Sequence, residues 1–138
     1  MIFSHHDLKI ELDDAWWAEA QMAGFVPPGT AYRVDRSAPK GQRVFEARID
    51  DIGPVLRHFG VGIFNNNEEM TARERVLRIL NGFRTGVAIP PIELLDMPAG
   101  SPFRYKLTAG THRLYCSLAA GFTHVPAMEG FDITAPYV

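Results

Sequence analysis

The chain has a single cysteine, Cys116, among its 138 residues. One thiol excludes a disulfide framework and any multi-cysteine metal centre, and it suits a reducing compartment. Lysine is almost missing. It stands only at positions 9, 40 and 106, so all but three of the 14 basic residues are arginine. The formal net charge is −2. No basic excess is present to hold polyanions non-specifically, which argues against tight binding of duplex DNA. No apolar run reaches the roughly 20 residues that span a bilayer. The opening Met1-Ile2-Phe3-Ser4-His5-His6-Asp7 lacks the basic flank and apolar stretch of a secretory signal. No membrane is expected as a partner, and the cytoplasm is the expected compartment. Internal repeats and low-complexity tracts are absent as well.

What is there fits a folded domain. Hydrophobic residues make up 46% of the chain and charged residues 22%, the balance of a globular protein. A chain of this length is one domain long and buries about two-thirds of its unfolded surface, so it needs no staple to fold. The preference for arginine permits a local anion site, because the guanidinium grips phosphate or carboxylate as a planar fork.

Residues 7–11 alternate as Asp-Leu-Lys-Ile-Glu and predict a short half-buried strand. Asp13-Asp14 precede a helical stretch, 15–23, that Gly24 ends; an acidic pair suits a helix N-terminus. Trp16-Trp17 within it read as core, or as a binding platform. Residues 27–42 read as loop, carrying Arg33, Arg36 and Lys40 either as a solvated segment or as a substrate-contacting arm. Residues 43–50 alternate like a strand. Thr71-Ala72-Arg73-Glu74 fits the capping box that opens a helix. Val76, Ile79, Leu80 and Phe83 then fall on one apolar stripe. A strand over 87–95, entered through Pro90-Pro91, and a second over 103–107 are close enough for a hairpin. A helix over 114–120 stops at Gly121, a left-handed cap, and 124–128 form a last strand. These elements predict an α+β fold, a single small mixed-sheet domain.

The strongest local signal is the strand-to-helix junction Gly110-Thr111-His112-Arg113. Glycine lets backbone approach a ligand closely, and a helix N-terminus favours an anion. Thr111, His112 and Arg113 all carry donors that suit phosphate oxygens. The plainer reading has Thr111 capping the helix and Arg113 paired with a surface carboxylate. Elsewhere, Glu46 and Asp50-Asp51 are either general-base candidates or solvated strand-end acids. Arg73, Arg75, Arg78 and Arg84, with Glu74 among them, also fit a salt-bridged helix face. His5-His6 reads as a terminal pair outside the fold, and His58 and His124 lack metal-ligand spacing. No metal site is expected.

The order of helix, Ile-Pro-Pro-Ile-Glu strand, second strand, Ala-Gly-Thr-His-Arg, alanine-rich helix and Gly-Phe-Thr-His-Val-Pro-Ala resembles the ParB/sulfiredoxin superfamily. The likeness spans roughly residues 44–130, which divides the chain into an N-terminal extension, 1–43, and a ParB/sulfiredoxin-like domain, 44–138. The resemblance implies that Gly110, Thr111, His112 and Arg113 bind nucleotide phosphates, with Arg75 and Arg78 beside them. It makes His112 and Glu93 candidate catalytic residues, and ATP or another nucleotide with Mg²⁺ the implied cofactor. The Gly-x-His-Arg turn is closer to the sulfiredoxin and free-serine-kinase branches than to the Gly-Glu-Arg-Arg form of partitioning ParB. Yet Thr111 stands where sulfiredoxin carries its reactive cysteine, and Cys116 lies five residues on, inside the helix. Sulfiredoxin activity is therefore not expected. Nor is there expected room for the second nucleotide motif and DNA-binding module of partitioning ParB.

The expected function is binding of a nucleotide or phosphorylated small molecule, with ATP-dependent phosphoryl transfer or nucleotide hydrolysis as the reaction if there is one. The alternatives are a ParB-like nuclease or nucleic-acid-processing domain, and a non-catalytic interaction module. The last would be one half of a homodimer or of a two-gene system, with Trp16-Trp17 in the contact surface.

Overall fold

A computed structural model describes residues 1–37, 42–56 and 62–130; Lys40 and His58 lie outside them. The chain runs β1 (Ile2–His5), β2 (Leu8–Glu11), α1 (Asp14–Glu19), β3 (Phe45–Arg48) and a single 3-10 turn (Ile49–Asp51). It continues through α2 (Ala72–Thr85), β4 (Ile92–Asp96), β5 (Tyr105–Ala109), α3 (Thr111–Ala120) and β6 (His124–Glu129). The fold is α+β. A four-stranded mixed sheet has the order β3-β6-β4-β5, and β1-β2 form a separate antiparallel hairpin. Among the described residues no helix is long and apolar enough to cross a membrane.

Local chemistry explains most of the boundaries. Thr71 accepts the Glu74 N–H at 3.1 Å and starts α2, while Gly86 and Gly121 end α2 and α3 with positive φ. Asp13 caps α1 by accepting the Ala15 N–H at 2.8 Å. On α2, Val76, Leu80 and Phe83 are buried, but Ile79, the fourth member of the stripe, is only half-buried. The β4–β5 hairpin forms as the spacing predicts. After β5 the chain crosses over through α3 and returns as β6, parallel to β4, with Ile92 opposite Ala127. β3 closes the other edge antiparallel to β6.

One buried cluster spans the whole chain. Ile10, Leu12, Met22 and Tyr32 from the N-terminal segment join Leu80, Ile92, Leu114 and Val125 in it. Trp16 and Trp17 pack against this core and are half-buried. His5 corrects the expectation of a terminal pair outside the fold, since it is 2% exposed. Its ring Nδ1 lies 2.8 Å from the Tyr115 hydroxyl and its Nε2 lies 3.1 Å from the Ile49 carbonyl oxygen. These contacts tie the β1–β2 hairpin to α3 and to the 3-10 turn.

Candidate functional site

The turn between β5 and α3 is built around Gly110. Its φ is +105°, a conformation side chains rarely adopt. A Cβ there would lie 2.7 Å from Ile92 Cγ2 and 3.2 Å from Ile92 Cα. The Leu114 N–H donates to the Gly110 carbonyl at 2.9 Å, the first rung of α3. Among the described residues no side chain caps this helix start. Its first-turn amides have no intrahelical acceptors, and the helix dipole adds partial positive charge there.

α2 supplies the facing wall. Arg75, Arg78, Ile79 and Gly82 lie along one side of it, three or four residues apart. Gly82 lets the segment before β4 come close, since a Cβ would meet Ile89 Cδ1 at 2.9 Å. That segment is also held from the other side, where the Ile89 N–H donates to the Arg33 carbonyl at 2.9 Å. Between these walls lies a cavity of about 750 Å³, bordered by Arg75, Arg78, Gly110, Thr111, His112 and Arg113. Ile79, Val87, Ile89 and Pro90 give it an apolar side.

Two of the three guanidiniums are pinned by neutral oxygens. Arg113 Nη1 donates to the carbonyls of Pro91 at 2.6 Å and Pro90 at 3.2 Å. Arg75 Nη1 donates to the main-chain and side-chain oxygens of Asn65 at 3.2 and 3.1 Å. The hydrogen bond of the Arg78 guanidinium among the described residues is a weak one to the Met70 sulfur, at 3.9 Å. None of the three is in an ion pair among the described residues. Their neighbours on α2 behave differently. Arg73 pairs with Glu19 of α1, and Arg84 donates to Asn81 and to the Ala20 carbonyl. So the salt-bridged-face reading describes Arg73, and Arg75 and Arg78 belong to the cleft.

His112 is placed otherwise than expected. It borders the cleft, but its ring is buried and lies edge-on to Phe64 at 5.5 Å. Its Nε2 accepts the Asn65 N–H at 3.1 Å. That nitrogen is an acceptor here, so it does not donate to a phosphate, and its bond ties α3 to the 64–65 segment. Glu93 is also elsewhere. Ile92 and Leu94 are buried on one face of β4, and strand alternation turns Glu93 to the opposite face. It does not border the cleft. Glu46 accepts from the Thr30 hydroxyl at 2.6 Å and Asp50 lies 3.9 Å from Arg48, so these acids are remote as well.

The residues that sequence reasoning passed over are Asn65 and the two proline carbonyls. Asn65-Asn66-Asn67 was legible as a loop with capping power, and Asn66 does accept the Ala72 N–H at 2.7 Å. That Asn65 would hold an arginine has no local signal.

Mg²⁺ takes oxygen ligands, usually with one or two carboxylates among them. The charged side chains lining the cleft among the described residues are Arg75, Arg78 and Arg113, and no carboxylate is with them. Among the described residues no three His, Cys, Asp or Glu side chains cluster to hold a metal ion. The residues present do not fit a protein-held Mg²⁺. No protein-family model, no curated protein and no solved structure matches the chain.

Proposed function

We propose that the cleft between α2 and the start of α3 binds the phosphate of a nucleotide or another phosphorylated small molecule. One observation carries this: Arg75, Arg78 and Arg113 border a single cavity that no carboxylate among the described residues shares. Gathering like charges raises the energy of the unliganded protein, and an anion relieves it. Guanidinium forks and helix-start amides are the donors that phosphate oxygens take best. The apolar side formed by Ile79, Val87, Ile89 and Pro90 offers a surface for the rest of the ligand. A cavity of about 750 Å³ falls in the size range of small-molecule sites. The resemblance of the Gly110–Arg113 turn to the phosphate turn of ParB/sulfiredoxin proteins supports the same reading.

The role of each residue follows. Arg78 is the most available cation. Arg75 and Arg113 are held through Nη1 and present their remaining N–H groups. Gly110 lets the α3 amides approach the ligand. Calorimetric titration with ADP, ATP, CTP and inorganic phosphate tests the proposal, on wild type and on Arg78→Gln. Arg78 is exposed and makes a single weak hydrogen bond among the described residues, so the variant is expected to keep its fold. Its affinity is expected to fall about tenfold to a hundredfold, the worth of a hydrogen bond to a charged group. No heat with any of the four at millimolar concentration rejects the proposal.

A further inference from the structure

A protein that takes a polyphosphate as its Mg²⁺ complex must tolerate, or help to ligate, a dication beside the phosphates. The cleft is built the other way. Among the described residues its charged side chains, Arg75, Arg78 and Arg113, are all cations. The neutral oxygens that hold two of them are already engaged. Asn65 gives both its oxygens to Arg75, and Pro90 and Pro91 give their carbonyls to Arg113. A dication approaching those oxygens would sit within a few ångströms of a guanidinium, against strong repulsion. Glu19, the acid that α1 brings against α2, is spent on Arg73. The same pinning keeps Nε and Nη2 of Arg75 and Arg113 for a ligand, and those two nitrogens form the fork that matches two oxygens of one phosphate.

We infer that the site takes a diphosphate-type anion free of divalent cation, and that Mg²⁺ competes with the protein for it. The inference rests on the phosphate reading above. Charge balance supports it. Three guanidiniums and the roughly half-unit positive end of α3 complement an anion of two to three negative charges. Bound Mg²⁺ removes two of those charges and brings its own hydration shell into a cationic cleft.

The test titrates inorganic pyrophosphate, which has no base or sugar to complicate recognition, in EDTA and in millimolar Mg²⁺. Ionic strength is matched so that screening is equal in both. Binding is expected to be at least about tenfold tighter in EDTA. Equal affinity, or tighter binding with Mg²⁺, overturns the inference and leaves the phosphate reading standing. No binding in either solution overturns the phosphate reading itself. Sulfate, a dianion with little affinity for Mg²⁺, is the control, and its binding is expected to change by less than about twofold. A sulfate loss as large as that of pyrophosphate would place the effect of Mg²⁺ on the protein, and would also overturn the inference.

Discussion

The Arg113 guanidinium, at the start of α3, donates to the carbonyl oxygen of Pro91, just ahead of β4, at 2.6 Å. The same nitrogen reaches the Pro90 carbonyl, which also accepts the Tyr32 hydroxyl at 2.6 Å. One arginine thus ties the helix, the sheet and the N-terminal segment together while its remaining donors border the cleft. Lysine has the charge but a shorter reach, and its ammonium cannot take the place of Nη1 between the two carbonyls. Arg113→Lys is expected to lower stability by about 1–2 kcal/mol, the cost of carbonyls left under-satisfied. Urea denaturation reads this as a lower midpoint with an unchanged slope.

Gly110 has no tolerated replacement. Its φ of +105° and the 2.7 Å approach of a built Cβ to Ile92 Cγ2 act together. Gly110→Ala is expected to cost about 2–4 kcal/mol through backbone strain and overpacking. A thermal transition within about 2 °C of wild type would contradict this account, given the size of the protein.

Stability is expected to fall on mild acidification because of His5. Burial holds its pKa below the ordinary 6.5, and His6 pushes the same way, against the Ile49 carbonyl and Asp50. The unfolded chain therefore takes up the proton first. Stability is full above 6.5 and declines as the pH drops below it, levelling at the lower folded value. The variant His5→Gln removes the titrating group, so its stability should vary less between about pH 7.5 and pH 5.5. Equal slopes for both proteins would show that His5 is not responsible.

Cys116 is expected to be inert in the native state. It is fully buried, and desolvation pushes its thiol pKa well above the ordinary range. A disulfide reagent should modify it at least about a hundredfold more slowly in buffer than in denaturant. Rapid native labelling would mean that α3 opens readily.

Much of the site was readable from short stretches of chain. The capping box at Thr71–Glu74, the glycine at 110 and the left-handed cap at Gly121 each depend on φ, ψ and neighbours within four residues. Ile79 showed the limit of such reading. Its place in the stripe implied burial, yet it borders the cavity with Gly82, because a helix stripe is wider than any one surface it packs against. Glu93 and His112 were named from the motif around them. Strand alternation sends one to the wrong face, and the Asn65 N–H, 47 residues away in sequence, occupies the ring nitrogen of the other.

The sequence by itself determined that the chain folds without disulfides, that its elements mix helix and strand, and that positive charge is carried by arginine. These follow from composition and from periodicities of two and 3.6 residues. Only the tertiary structure decided which arginines share a cavity and which pair with acids. It also decided the strand order β3-β6-β4-β5 and the burial of His5 against Tyr115, 110 residues away. Those outcomes depend on contacts between distant segments, where packing of the whole core chooses the partner and no local pattern records the choice.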